Sequence, residues 1–276
     1  MPVMLEATAA REPNASAAGG ARIIGRAVGK QFTAKGKPFV ALDDVSFEIS
    51  GGEFVSLIGP SGCGKSTLML ITAGLIPASS GEILVAGKPM LVPLTEVGIV
   101  FQDHLLLDFR TALANVMLQA EVRGLPRAPM RDEALRLLAK LGIPAIACDR
   151  YPNQLSGGMR QRVSIARALI HQPSVLLMDE PFGALDAITR TQIRHDLELL
   201  WMETRKTVLF ITHSIEEAIG LSDRVLVMSP NPGRIVDEIP VDLPRPRPAV
   251  LGEDRSFNIY AERIHRAFLK MGVIKY

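Results

Sequence analysis

The chain has 276 residues, 47% of them hydrophobic and 22% charged, a balance that fits one large globular domain or two modest ones. A net charge of +2 is too small to argue for a nucleic-acid surface, no apolar run reaches the about 18 residues a membrane span needs, and the N-terminus lacks the basic start and apolar core of a secretory signal. Two cysteines, Cys63 and Cys148, allow at most one disulfide, so a reducing cytosol is the simpler setting.

Residues 1–21 are rich in Ala, Gly, Ser and Asn, show no periodicity and read as a mobile tail. Over 23–49 the pattern becomes strand-like, and VSFEI (45–49) alternates apolar and polar residues as a half-buried strand does. GGEFVSLIG (51–59) reads as a turn into a buried strand, and GCGKSTLMLITAGL (62–75) as the helix after it. Helix dominates from about 112 to 147, where MRDEALRLLAKLGI (130–143) puts Ala134, Leu137, Leu138 and Leu141 on one face. SVLLMDEP (174–181) is a short apolar run ending in two acids, and TVLFITH (207–213) is another ending in histidine. Apolar strands alternating with helices predict an α/β fold with a largely parallel, covered sheet. The helices between Gln102 and Gln154 predict a helical subdomain that interrupts it. Near the end, LPRPRP (243–248) is proline-locked and extended, and FNIYAERIHRAFLKMG (257–272) reads as a final amphipathic helix.

GPSGCGKST (59–67) fits the G-x-x-x-x-G-K-[ST] pattern between a predicted strand and a predicted helix. Gly59 and Gly64 let the backbone turn its amides inward around phosphate oxygens, Lys65 reaches the β- and γ-phosphates, and the Ser66 hydroxyl can ligate Mg²⁺. Cys63 sits within the loop, where a small residue is tolerated and a thiol reagent could reach it. VLLMDEP (175–181) ends in Asp179, placed to hold the magnesium directly or through water, and Glu180, placed to polarise an attacking water. Gln102 follows the strand-like VGIVF (97–101), where its amide could reach the metal or that water. His213 ends its strand in reach of a γ-phosphate, and Ser214 with Glu217 has the spacing of a capping box. LSGGMRQR (155–162) opens a helix with Gly157 and Gly158 after Ser156. A hydroxyl, bare amides and a helix N-terminus together suit an anion.

In this order, the motifs resemble those of the nucleotide-binding subunit of ABC transporters over about residues 23–240. The resemblance implies an α/β P-loop NTPase core with a mostly parallel sheet, flanking helices and an N-terminal antiparallel β part. A helical subdomain carrying the signature, about 103–170, completes a domain over 22–240, with 241–276 as a C-terminal extension. ATP and Mg²⁺ are the implied cofactors. Gly59, Pro60, Ser61, Gly62, Cys63, Gly64, Lys65, Ser66 and Thr67 would form the Walker A loop, and Gln102 the Q-loop residue. Leu155, Ser156, Gly157 and Gly158 would be the signature, and Asp186 of ALD (184–186) would belong to the D-loop. Catalysis would fall to Glu180, His213, Gln102 and Lys65, and the metal to Ser66, Gln102 and Asp179. Phe32 is the candidate to stack on adenine, with Phe39 as the alternative.

Members of this family pair head to tail, so that the signature of one chain closes over the ATP of the other. One Walker A loop and one signature per chain therefore imply a homodimer or a close relative as partner. VFQDHLLLDFRTALANV (100–116) and NPGRIVDEIPVDLPRPR (231–247) resemble a narrower group serving nitrate, taurine and aliphatic-sulfonate importers, although Asp108-Phe109 stands where that group usually has Pro-Trp. This implies permease subunits that meet the chain near His104 to Phe109, a periplasmic solute-binding protein, no nucleic acid, and a place on the cytoplasmic face of the membrane. Simple core packing is the other reading of the leucines at 105–107. About 36 residues follow Pro240, too few for the regulatory β-domain of sugar-importer ATPases. An exporter ATPase is the alternative, and a soluble, non-transport ABC ATPase a more distant one.

Overall fold

The structure, a computed structural model, describes residues 20–34, 36–248 and 255–274. The expected tail lies outside the described residues except for Gly20 and Ala21, and Ala21 already donates a backbone hydrogen bond to the Ser174 carbonyl. β1 (Ile23–Ala34) and β2 (Lys37–Ile49) pair antiparallel, with Ile23 opposite Ile49 and Phe32 opposite Phe39. Along the end of β2, buried Val45, Phe47 and Ile49 alternate with exposed Asp44, Ser46 and Glu48, as VSFEI predicts. β3 (Phe54–Ile58) follows, then α1 (Lys65–Thr72). β4 (Ser80–Val85) and β5 (Lys88–Pro89) complete an antiparallel sheet of order β2-β1-β4-β5.

After β6 (Val97–Val100) the chain leaves for α2 (Ala112–Val122), α3 (Arg127–Lys140) and α4 (Gly157–Leu169). It returns through β7 (Val175–Asp179), α5 (Ala187–Thr204), β8 (Thr207–Thr212), α6 (Ile215–Leu221), β9 (Arg224–Met228), β10 (Ile235–Pro240) and α7 (Arg255–Lys270). The second sheet runs β10-β9-β3-β8-β7-β6 and is parallel except for β10.

Every residue of β3, β7 and β8 is buried, because helices cover one face and the antiparallel sheet with α1 covers the other. Phe54, Val208 and Phe210 point into a core shared with the helical subdomain. Their neighbours Val55, Leu209 and Ile211 point into a core shared with Ile23, Val45 and Met69. This is the two-residue period of a strand feeding two layers at once. Phe54 and Trp201 meet edge to face at 5.7 Å, which seats α5 against the sheet. Within the helical subdomain Ala134, Leu137, Leu138 and Leu141 are all buried, on the predicted face.

The C-terminal stretch is bound into the fold. Phe257, Ile264 and Phe268 of α7 bury against Ile219, Val225 and Ile239. Before them, Arg245 donates to Glu198 at 3.0 Å, to Asp223 at 2.9 Å and to the Leu221 carbonyl, and its guanidinium lies 4.3 Å from the Trp201 ring. Arg247 donates its amide to the other Glu198 oxygen, and burial pulls its side chain down to about 10, with Arg245 adding to the effect. Glu198 is 2% exposed, so removing the Arg245 guanidinium would leave a buried charge without its ion-pair partner, at a cost of about 3–5 kcal/mol. Among the described residues no helix is long and apolar enough to cross a membrane.

Candidate nucleotide-binding and catalytic site

In a parallel sheet all strands end on one edge, and that edge gathers the predicted site residues. Ile58, the last residue of β3 before the glycine loop, sits opposite Thr212 at the end of β8. Asp179, ending β7, sits opposite Ile211, and Val100, ending β6, sits opposite Met178. Lys65, Asp179, Glu180, His213 and Gln102 therefore emerge side by side from segments far apart in sequence.

Gly64 caps α1 in a left-handed conformation, φ 102°, and a Cβ there would stand 2.7 Å from Leu42 and 2.9 Å from the Ala41 carbonyl. Only glycine fits both the torsion and the space. Behind the loop, residue 233 of the NPGR turn exchanges backbone hydrogen bonds with Ala41 and Asp43 of β2. Lys65 does not project outward: its ammonium donates to the carbonyls of Gly59 at 2.9 Å and Pro60 at 3.0 Å. A buried ammonium needs acceptors, and the loop supplies its own. Pro60 and Thr67 are half-buried, and Ser61, Gly62 and Ser66 lie on the exposed side. Cys63 is 1% exposed and burial pushes its thiol up, which fits a small residue tolerated in the loop rather than a thiol open to reagents.

Burial raises the pKa of Asp179; the neighbouring Ser66 hydroxyl opposes this, the Glu180 charge adds to it, and Lys65 opposes it. Its Oδ1 is buried without a hydrogen-bond partner. An orphaned carboxylate oxygen beside a serine hydroxyl is a suitable donor pair for a hard cation. Glu180 turns the chain with φ 42°, an uncommon torsion for a side-chain-bearing residue and one found at functional sites. Its Oε2 lies 3.1 Å from Nδ1 of His213, which ties the two predicted catalytic groups together.

The signature sits elsewhere on the molecule. Ser156 caps α4 through an Oγ that accepts from the Met159 amide at 3.2 Å, and the residue is exposed. Among the described residues no hydrogen bond or ion pair joins 155–158 to 59–67. The two glycines differ. A Cβ on Gly157 would meet nothing closer than Leu185 at 3.9 Å, whereas one on Gly158 would stand 2.5 Å from a methyl of Thr189 on α5. A side chain on Gly158 would thus oblige Thr189 to shift, whereas the space beside Gly157 is open to an approaching group. Asp186 caps α5 by accepting from the Thr189 amide at 2.9 Å, which holds its carboxyl below the usual range.

Gln102 is exposed just past β6. Of the leucines that follow, Leu106 packs into the helical core while Leu105 is 56% exposed, so the core-packing reading holds for Leu106 and fails for Leu105. Leu105 borders a groove of about 380 Å³ lined also by Leu75, Pro93, Phe101, Arg167 and His171. Phe109, four residues further along the chain, is 75% exposed. Phe32 and Phe39, opposite each other on the hairpin, are 39% and 42% exposed, so they form one aromatic ledge; Lys30 lies 5.1 Å from the Phe32 ring centroid.

The sequence profile of the ABC transporter family matches residues 42–183. The chain belongs to that family. An ATP-binding protein of Brucella abortus (strain 2308) is 46% identical over 83% of this chain and 88% of its own length. The taurine import ATP-binding protein TauB of Rhizobium johnstonii is 48% identical over 80% of this chain and 84% of its own. The solved dimeric ABC transporter cassette MJ0796 superposes with a TM-score of 0.73 at 34% identity, covering 80% of this chain and 99% of that one, and it is also known in a post-hydrolysis state with ADP and phosphate. The chain is accordingly an ABC ATPase, an enzyme that binds and hydrolyses ATP in the service of membrane transport.

Some contacts of this ABC ATPase escape its motifs. The predicted capping box forms by half: Ser214 accepts from the Glu217 amide at 3.3 Å, but the Glu217 carboxylate turns away to Thr212. Arg190, absent from the sequence reading, lies 3.6 Å from that carboxylate. His104 donates from Nδ1 at 2.6 Å to the carboxamide oxygen of the buried Gln161 of α4, and Arg167 of the same helix donates to the carbonyls of His104 and Leu105. The signature helix therefore grips the segment after Gln102 directly. A buried-polar pattern on α4, with Gln161 and Arg162 inside an otherwise apolar face, was the available signal.

Proposed function

We propose that this chain is the ATP-hydrolysing subunit of an importer for a small anionic or zwitterionic solute such as nitrate, a sulfonate or taurine. It works as a homodimer on the cytoplasmic face of the membrane, bound to separate permease subunits and served indirectly by a periplasmic solute-binding protein. The observation that carries the reading is the 48% identity to a taurine-import ATP-binding protein across most of both chains. The groove beside Leu105, together with exposed Phe109 four residues further along the chain, is the surface offered to the permease.

In this reading the loop amides at 59–67 cradle the phosphates, and Lys65 exchanges its two carbonyl partners for phosphate oxygens. Ser66, Asp179 and Gln102 would hold Mg²⁺, which would shield the charge of the β- and γ-phosphates. Glu180 orients and deprotonates water with one carboxylate oxygen while His213 holds the other. Ser156, Gly157 and Gly158 of the partner chain close the site over the γ-phosphate, with Asp186 nearby. The solute never enters this subunit, so its identity rests on the relatives. Deleting the gene is expected to abolish uptake of labelled taurine, an alkanesulfonate or nitrate. Unchanged uptake of all three would overturn the solute class.

Phe32 is proposed to stack on adenine. Base stacking on an aromatic ring is worth about 1–3 kcal/mol, so Phe32→Ala is expected to raise the Kd for ATP roughly 5- to 150-fold, with Phe39→Ala closer to the parent. A fluorescent-nucleotide titration of both variants decides between them, and the reverse order assigns the role to Phe39.

A further inference from the structure

Glu217 is 5% exposed and lies on α6, four residues after His213. A carboxylate taken out of water needs compensation, and the groups around it show where this comes from. One oxygen accepts from the Thr212 hydroxyl, and the other faces Arg190 Nε at 3.6 Å. Burial raises the Glu217 pKa, against the pull of Thr212, Arg190 and His213, and with a push from Glu180. Thr212 also accepts the Ser214 amide at 3.0 Å. The residues on both sides of His213 are therefore pinned to Glu217 through one hydroxyl.

Arg190 faces the other way as well. Its NH2 group donates at 2.9 Å to the Leu185 carbonyl, inside the loop that ends at Asp186. A single guanidinium thus bridges the 184–186 loop to the helix that carries His213. Scaffolding of α5 on α6 does not need this bridge, because Glu198 with Arg245 and Arg247 already ties these helices at a separate place. Arg190 is partly exposed while Glu217 is buried, so the pair at 3.6 Å also offsets part of the cost of taking that carboxylate out of water. Its value lies in what it connects.

Resting on the ATPase reading above, we propose that Arg190 and Glu217 are positioning residues, a clamp that fixes His213 relative to the 184–186 loop so that the histidine and the loop shift as one unit. Neither touches substrate. Loosening the clamp would misplace His213, and through its 3.1 Å contact Glu180, while leaving the nucleotide cradle intact.

The test is steady-state ATP hydrolysis by the full chain carrying Arg190→Ala, Glu217→Gln, or both. Glu217→Gln keeps the acceptor for Thr212 and loses only the charge facing Arg190, so it serves even if Arg190→Ala folds poorly. Each single change is expected to lower kcat about tenfold with KM for ATP within about twofold, and the double variant to fall no further than the worse single one. Parental kcat in Glu217→Gln, losses that multiply in the double variant, or a rise in KM alone would overturn the clamp. So would a kcat loss that tracks a falling thermal midpoint, which marks a scaffold contact. A parent chain that hydrolyses no ATP, with Glu180→Gln indistinguishable from it, would remove the ATPase reading and the clamp together. Parental hydrolysis with an inert clamp would remove the clamp alone.

Discussion

Glu180→Gln is expected to lower kcat for ATP hydrolysis about 10²- to 10⁴-fold, the range general-base catalysis contributes. That corresponds to roughly 2.7–5.5 kcal/mol of transition-state stabilisation. The substitution isolates basicity from shape. A glutamine carbonyl can still accept from Nδ1 of His213 at the 3.1 Å position, and the left-handed turn at φ 42° meets a side chain of the same size. Lys65, Ser66 and the loop amides are untouched, so ATP affinity should stay near the parent's. With binding intact and hydrolysis blocked, ATP should also hold the chain as a dimer, visible by size-exclusion chromatography in the presence of nucleotide. Hydrolysis at the parental rate would remove Glu180 as the base.

The parts of the fold and site readable in advance are those whose constraint is local. The P-loop is legible because its torsions, its donors and its helix start lie within nine consecutive residues. Asp179 and His213 are legible because each ends an apolar run, and parallel strands deliver their ends to one edge. What stayed hidden depends on partners distant in sequence. The register that puts Phe32 opposite Phe39 makes them one ledge, which neither residue announces. Glu217 reads as a helix cap because Ser214 is three residues away. Its carboxylate goes to Thr212 and faces Arg190 because burial rewards the partner that best offsets its charge. Gly158 reads as a nucleotide contact, and its close approach to Thr189 of α5 is a second constraint that the motif does not announce. Likewise the Pro-Arg repeat of 243–248 predicts an extended segment, and only the folded chain reveals that Glu198 and Trp201 receive its arginines.

Ser156→Asp is expected to lower kcat at least about 10²-fold, comparable to losing one donor from a preorganised anion site. Aspartate caps a helix as well as serine does, and a negative charge at a helix N-terminus is favourable by about 0.3–1 kcal/mol. The α4 start, held through the Met159 amide, should therefore survive and the thermal midpoint should not fall. Ser156→Ala, by contrast, should cost about 1 kcal/mol of stability through the lost cap. The aspartate harms only a γ-phosphate that comes to it. In the proposed homodimer that phosphate is held by the other copy, in keeping with the lack of any bond from residues 155–158 to 59–67, and ATP affinity of the monomer should remain within about twofold of the parent's. Mixing decides the matter. Ser156→Asp chains keep an intact P-loop, and Lys65→Ala chains keep an intact signature. In a two-fold dimer their combination rebuilds one complete site, so an equimolar mixture of two inactive variants should recover up to about a quarter of parental hydrolysis. A site completed within one chain would recover nothing, and weaker ATP binding by monomeric Ser156→Asp would likewise place the signature on its own nucleotide.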